Sequence, residues 1–389
     1  MTAAPRERHS RFHVGLPLRR SAEHTIRGLA ERAGIQPNGP NPWDPWIGNP
    51  RFYEAVLRNP SLGLGETYME HYWECERIDL LIERVLRAQV HRKLGSTLRL
   101  GIEVLLHRLI NFQSVQRAAE VGEKHYDIGE DLYAAMLDSA MNYSCGYWKE
   151  ANDLEQAQQH KMALIAAKLD LRPGQRVLDI GCGWGGMARH LATHHGVEVV
   201  GITISARQCE YAQAASGNSR NTEFRLQDYR DVNEPFDRIV SIGMFEHVGY
   251  KNYAAFFDAI VRNLKADGLV LLHSIFGNRT GFRGDPWLEK YIFPNGMLPS
   301  IQQFSKASEG RLIPEDMQNL GPDYHRTLLA WNHNFERTKG CLPSRYDERF
   351  KRMWRYYLLS CAGAFLARHI QLHQWVLSKE RGARYDAPR

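Results

Sequence analysis

No stretch of the chain approaches the roughly 18 consecutive apolar residues that a membrane-crossing helix needs, so any contact with a bilayer must be peripheral. The opening MTAAPRERHSRFHVG lacks the apolar core of a secretion signal. Cysteine is sparse, with 6 residues scattered from Cys75 to Cys361 and no C-x-x-C pair. That excludes a recognisable zinc site or disulfide framework and makes reduced thiols in a cytoplasmic protein the default. No RNA-binding motif, internal repeat or low-complexity tract is present, which argues against a nucleic-acid partner. Neither sign of charge dominates: the net charge is +6, which admits an anionic partner such as a phospholipid surface without requiring one.

What is present is an ordinary globular composition, long enough at 389 residues for two or three domains. Residues 1–20 are polar and Arg-rich and are expected to be a flexible terminus. Residues 21–118 read as a smaller, mainly helical domain. Within it Ile78, Leu81, Ile82, Val85 and Leu86 recur at helical spacing, and Leu98 to Ile110 continues in the same manner. Residues 119–389 change character. Gln175–Ile180, Val197–Thr203, Phe236–Ile242 and Gly268–His273 are apolar strands separated by helical stretches such as Leu154–Leu169. This alternation predicts an α/β fold with a doubly wound, mostly parallel sheet. From Asn278 the sequence is loop-like, and the chain ends in an expected helix from about Arg349 to Leu377.

One strand runs directly into Asp179-Ile180-Gly181-Cys182-Gly183-Trp184-Gly185-Gly186. Glycines there permit a tight turn and close approach of a ligand, and the following helix offers unpaired N–H groups. The spacing is G-x-G-x-G, with an acid just before the first glycine. A pyrophosphate would be repelled by Asp179, whereas the ammonium group of S-adenosylmethionine would be received by it. That points to a Rossmann-like, class I methyltransferase turn with Asp179, Gly181, Gly183, Trp184 and Gly185 at the cofactor. No acid follows the second strand, so Thr203, Ser205 and Gln208 would serve the ribose. Gln227, Asp228 and Tyr229 offer an amide, a carboxylate and a ring suited to adenine, although a plain surface turn fits that triplet equally well.

The run Val177 to Gly186 resembles the cofactor motif of cyclopropane fatty acid synthases. Met141 to Trp148 (MNYSCGYW), Phe236 to Gly249, Leu271 to Ile275 and Asn319 to Trp331 are similar to further stretches of that family, in the same order. The N-terminal region, with Gly63-Leu-Gly-Glu66 and Trp73-Glu-Cys-Glu76, resembles the extra domain of the long bacterial form. The resemblance implies transfer of the methyl carbon of S-adenosylmethionine to a cis double bond of an acyl chain in a phospholipid, closing a cyclopropane ring. It also implies a lid or acyl-binding insertion at about 278–325, and cofactor contacts from Tyr143 and Ser144.

An alkene is a weak nucleophile, so positioning must supply much of the catalysis, and water must be excluded from the resulting cation. The resemblance implies that a bound bicarbonate ion is the base, held by Cys145, Glu246, His273, Tyr324 and the backbone of Ile275. Taken singly, Glu246 could cap a helix, His273 could be a satisfied core residue and Cys145 a small buried hydrophobe. Cys361 matches a cysteine once suspected as a nucleophile, but ring closure needs a base, and a structural thiol near the acyl tunnel is the expectation. The implied localisation is cytoplasmic, peripheral to the inner face of the membrane. Basic amphipathic helices around Ile78–Ile110 and Arg349–Leu377 are candidates for lipid contact, and the N-terminal domain for docking or homodimer pairing. Rival readings are a lipid methyltransferase leaving a methyl branch or hydroxyl, a methyltransferase of small molecules or nucleic acid, and a non-enzymatic lipid-surface protein.

Overall fold

The computed structural model describes residues 15–90, 129–380 and 382–389. The expected helix Leu98–Ile110 lies outside the described residues.

The central sheet has seven strands in the order β5-β4-β3-β6-β7-β9-β8. They are β3 (Arg176–Ile180), β4 (Glu198–Thr203), β5 (Thr222–Leu226), β6 (Phe236–Ile242), β7 (Leu264–Gly277), β8 (Ile313–Asn319) and β9 (Ile370–Ser378). Strands β5 to β7 are mutually parallel, and β9 runs antiparallel to both β7 and β8. Val177, Leu178, Ile239, Val240, Val270 and Leu271 are all buried, as parallel strands covered on both faces require. From β3 the chain moves outward to β4 and β5, then crosses back to β6. The order therefore reverses between β3 and β6, and the crevice at the carboxyl ends of those strands is where such a sheet binds ligands.

Helices cover both faces. They are α5 (Glu130–Met136), α6 (Leu154–Lys168), α7 (Gly186–His195), α8 (Ala206–Ser216), the short α9 (Phe245–Val248), α10 (Tyr253–Asn263), α11 (Pro286–Tyr291), α12 (Ile301–Ser308), α13 (Gly321–Thr338) and α14 (Glu348–Leu366). Side-chain oxygens start several of them. Asp153 accepts from the Gln156 N–H at 2.8 Å to open α6, and Ser300 and Gln303 form a capping box on α12.

The expected helix Arg349–Leu377 is two elements. Helix α14 ends at Leu366, where Ala367, Arg368 and His369 return their N–H groups to the carbonyls of Gly363, Phe365 and Ala364. Arg368 adopts a left-handed φ of 57°, and the chain re-enters as β9 inside the sheet. With Leu372, Val376 and Leu377 buried, β9 continues the apolar density of the helix, so periodicity alone could not separate them. Strand β8 was hidden for the opposite reason. It is a largely polar edge strand, IPEDMQN, whose proline is tolerated only at an edge. It falls inside the stretch 278–325, which thus contributes to the sheet as well as to loops.

The N-terminal region comprises α1 (Gly15–Arg32), β1 (Trp46–Ile47), α2 (Arg51–Arg58), α3 (Pro60–Met69), β2 (Trp73–Glu74) and α4 (Ile78–Arg87). Helix α1 begins inside the stretch expected to be flexible, because Ala22, Ile26 and Leu29 give it a stripe that packs on the core. This region shares one hydrophobic cluster with α5, α13 and α14. Tyr68, Trp73 and Tyr356 meet edge to face or tilted, with centroids 5.1 to 6.4 Å apart. The nearly buried Arg352 of α14 donates to the Tyr68 carbonyl at 2.7 Å and pairs with Glu74 at 2.9 Å. Gly363 sets the approach of α4 to α14: a Cβ there would lie 2.4 Å from the Asp79 carbonyl oxygen and 2.8 Å from Ile82 Cβ.

A helical Gly→Ala change normally stabilises by up to about 1 kcal/mol. At Gly363 the sign reverses. Gly363→Ala is expected to destabilise the protein by about 1–3 kcal/mol, the usual range for overpacking, read as a lower urea midpoint. A raised midpoint would show that the two helices are not in contact here.

Candidate active site at the sheet switch point

A cavity of about 1190 Å³ opens at the carboxyl ends of β3, β4 and β6. Its wall includes Tyr143, Ser144, Asp179, Gly181, Gly183, Trp184, Thr203, Gln208, Gln227, Asp228, Tyr229, Glu246, Ile275, Tyr324 and Cys361. From there it continues between α14 and the N-terminal helices, where Ile26, Phe52, Val56, Leu81, Val85, Ala364 and Phe365 make an apolar arm. One space therefore joins the glycine turn to an apolar channel.

Gly181, Gly183 and Gly185 of the turn all have positive φ but do different work. A Cβ on Gly183 would meet nothing within 4 Å, so its backbone is bare to the cavity. A Cβ on Gly185 would lie 2.9 Å from Ala212 and Phe224, so that glycine serves packing and is not on the cavity wall. A Cβ on Gly181 would touch Met244 at 2.9 Å.

Asp179 is fully buried, and its Oδ2 has no hydrogen-bond partner. Burial pushes its carboxyl up to about 7, against the pull of Lys161. Lys161 was not singled out in the sequence. Its fully buried ammonium donates to Asn142 Oδ1 at 2.9 Å and Ser144 Oγ at 3.0 Å, and burial lowers it to about 8. Asp138 in turn accepts from the backbone and side chain of Asn142 at 2.8 and 2.7 Å. This buried network fixes the loop 141–146 beneath the cavity. The signal for it was legible: Gln158, Lys161 and Lys168 fall on the stripe of α6 that also carries Leu154, Ala157 and Ile165.

The expected ribose and adenine groups are partly committed elsewhere. Ser205 caps α8 through the Gln208 N–H at 3.3 Å and is not on the wall. Thr203 donates to Gln208 Oε1 at 3.1 Å. Asp228 is clamped by the Arg230 guanidinium at 2.8 and 2.5 Å, which outweighs burial and holds its carboxyl below the usual range. Tyr229 packs edge-on against Phe256.

A second polar group lies where the apolar arm begins. Glu246, at the start of α9, accepts from the Ile275 N–H at 2.7 Å through Oε1, while its Oε2 has no partner. Burial raises its carboxyl, opposed by that N–H and by the hydroxyl of the neighbouring Ser274. His273 sits two residues earlier on β7, just behind the wall. Its Nδ1 meets Gln374 Nε2 at 3.1 Å, and its Nε2 has no partner. Burial drives it well below the usual histidine range, so the ring is neutral. Tyr324, on α13, is electrostatically close to Cys145, Glu246 and Cys361, and burial keeps its hydroxyl protonated. Cys145 is buried behind the wall, its thiol directed at the Gly146 carbonyl at 3.2 Å. Cys361 lies on the wall, and burial pushes its thiol up to about 12, so it is no thiolate nucleophile at neutral pH. Tyr143 bonds Tyr357 hydroxyl to hydroxyl at 2.7 Å across the mouth of the arm.

The doubly wound sheet, its open glycine turn and the buried acid beside it define a class I S-adenosylmethionine-dependent methyltransferase. Residues 113–375 match the family described as mycolic acid cyclopropane synthetase, and the chain belongs to that family. It is 51% identical over 358 residues to the cyclopropane-fatty-acyl-phospholipid synthase of Escherichia coli K12, covering 92% of this chain and 94% of that protein. Among solved structures, the cyclopropane synthase MmaA2 from Mycobacterium tuberculosis is 34% identical with a TM-score of 0.63, covering 67% of this chain and 98% of its own. The mycolic acid cyclopropane synthase CmaA1, complexed with SAH and CTAB, matches with the same figures.

A cationic ligand seated at Asp179 favours the ionised carboxylate and so expels its proton below about pH 7. S-adenosylmethionine affinity is therefore expected to fall by about tenfold per pH unit below that point, with proton release on binding. Calorimetry in buffers of different ionisation enthalpy reads the release. Asp179→Asn should abolish it, and an unchanged release in that variant would remove Asp179 from the ligand.

Proposed function

We propose that the protein adds the methyl carbon of S-adenosylmethionine across a cis double bond of an acyl chain in a phospholipid, closing a cyclopropane ring, with bicarbonate as the base. The carrying observation is the pair Glu246 Oε2 and His273 Nε2. They are buried polar atoms without partners, Glu246 on the wall where the cavity turns into an apolar channel and His273 just behind it. Buried polar groups are rarely left unpaired, and such a pair suits a small polar ligand bound between an acceptor and a donor. The name of the Escherichia coli relative, close over nearly the full chain, supports the phospholipid substrate.

When bound, S-adenosylmethionine supplies an electrophilic methyl group. The chain's residues do the rest. Asp179 receives the cofactor's ammonium, Tyr143, Ser144, Gly181 and Trp184 close around it, and the bare backbone at Gly183 lets it approach. Gln227, Tyr229 and the Thr203–Gln208 pair face its nucleoside. Methyl transfer leaves a cation on the acyl chain, and a proton must leave the new methyl for the ring to close. Neutral His273 and Tyr324 donate hydrogen bonds to an oxyanion. Glu246 accepts from the bicarbonate hydroxyl, and its raised carboxyl tolerates a neighbouring anion only with a proton between them. Apolar walls, including Phe365 and Cys361, exclude the water that would trap the cation.

Such a substrate requires contact with a lipid surface. Among the described residues no helix is long and apolar enough to cross a membrane, so that contact would be peripheral. The apolar arm ends among α1, α2 and α4, which makes the N-terminal region the acyl-chain receptor in this reading.

The test is incubation with S-adenosylmethionine and vesicles of cis-monounsaturated phospholipid, followed by mass spectrometry. The expected product gains one methylene unit and loses its double bond. A gain with the double bond retained would sink ring formation, and labelling of RNA but not lipid would sink the acceptor class. Glu246→Gln should lower turnover by at least about 100-fold, the lower range for loss of a proton-handling group, with cofactor affinity within about twofold. Normal turnover would exclude Glu246 from the reaction.

A further inference from the structure

His273 belongs to a ladder of side chains that crosses three strands. On one face of the sheet, Gln318 of β8 stands opposite Gln374 of β9, and Gln374 stands opposite His273 of β7. Gln374 is fully buried and makes two contacts through its amide. Its Oε1 accepts from Lys168 Nζ at 3.0 Å, and its Nε2 faces His273 Nδ1 at 3.1 Å. Lys168 is the last residue of α6, and its ammonium is buried beneath the ladder. It also donates to Gln318 Oε1 at 2.6 Å and lies 3.4 Å from Asp316 Oδ2.

Hydrogen-bond polarity runs one way along this ladder. A lysine can only donate. The amide oxygen of Gln374 must therefore face Lys168, because a flip would set its NH₂ against the ammonium. The same amide then has only its NH₂ to offer His273. Nδ1 of a neutral imidazole must accept from it, and the ring proton is left on Nε2. Nε2 is the atom without a partner, and His273 lies two residues before Ile275, the residue of the same strand whose N–H binds Glu246.

We propose that Lys168, acting through Gln374, holds His273 as the Nε2–H tautomer, so that it presents a hydrogen-bond donor to the anionic base. Lys168 and Gln374 are positioning residues that touch neither cofactor nor acyl chain. The ladder is held from outside by the end of the chain. Tyr385 Oη donates to the Lys168 carbonyl at 2.9 Å, and the Arg389 guanidinium grips Asp316 at 2.8 and 2.5 Å. The function of the donor rests on the bicarbonate reading above, whereas the tautomer itself does not.

Nitrogen NMR of the full-length protein with labelled histidine tests this, because protonated and bare ring nitrogens resonate far apart. The His273 signals are identified by their loss in His273→Asn. Without bicarbonate, the wild-type ring is expected to carry its proton on Nε2. Gln374→Glu replaces the donor with an acceptor of the same size and should move the proton to Nδ1. Turnover should fall by at least about 100-fold, as a wrong tautomer does elsewhere, with S-adenosylmethionine affinity within about twofold. Lys168→Met should mix the tautomers, and Lys168→Arg, which still donates, should restore Nε2–H. Wild-type protein protonated on Nδ1 overturns the proposal even if every variant fails to fold. So does Gln374→Glu retaining Nε2–H, or reversing the tautomer with turnover unchanged. If the tautomer is as expected but turnover ignores bicarbonate depletion, the ladder stands and the choice of base falls.

Discussion

A carboxyl oxygen and an imidazole nitrogen buried without partners each carry a desolvation cost of about 1–3 kcal/mol. Glu246 and His273 have this arrangement on neighbouring elements, and the rest of the site depends on it. Their other polar atoms are engaged, by the Ile275 N–H on one side and Gln374 on the other, which holds both side chains in place. Rigidity of this kind is what preorganised polar groups require. The same burial keeps His273 neutral and Glu246 reluctant to ionise.

The scaffold supports that pair from two directions. The sheet brings the cofactor turn at the end of β3 beside α9 and β7, because its order reverses between β3 and β6. Helix α14 then closes the opposite side, carrying Tyr357 and Cys361 on the cavity wall and Arg352 and Gly363 against the N-terminal region. The N-terminal helices thereby become part of the apolar channel rather than a separate appendage, and one hydrophobic cluster runs through both. Buried cations recur in this design. Lys161 lies below the loop 141–146 and Lys168 behind His273 and Gln374, both on one stripe of α6 and both lowered to about 8 by burial.

Much of this was legible from the sequence where local pattern and chemistry coincide. The parallel strands, the glycine turn and the acid Asp179 announced themselves, since each is a short contiguous signal. Elements whose identity depends on distant partners did not. The run Arg349–Leu377 read as one helix because a strand covered on both faces is as apolar as a buried helix. Strand β8 was invisible because its polar residues are paid for by Lys168 and Arg389 across the fold. The site residues divide similarly. Their motifs could be quoted, but only three dimensions show that Gly185 and Ser205 serve packing and capping, that Asp228 is taken by Arg230, and that Gln374 stands behind His273.

The most direct measurement of the central claim is a crystal structure of the protein grown with S-adenosylhomocysteine and bicarbonate. The account predicts a small planar anion in contact with both Glu246 Oε2 and His273 Nε2. Density elsewhere, or those two atoms still without a partner in the presence of the anion, would contradict it.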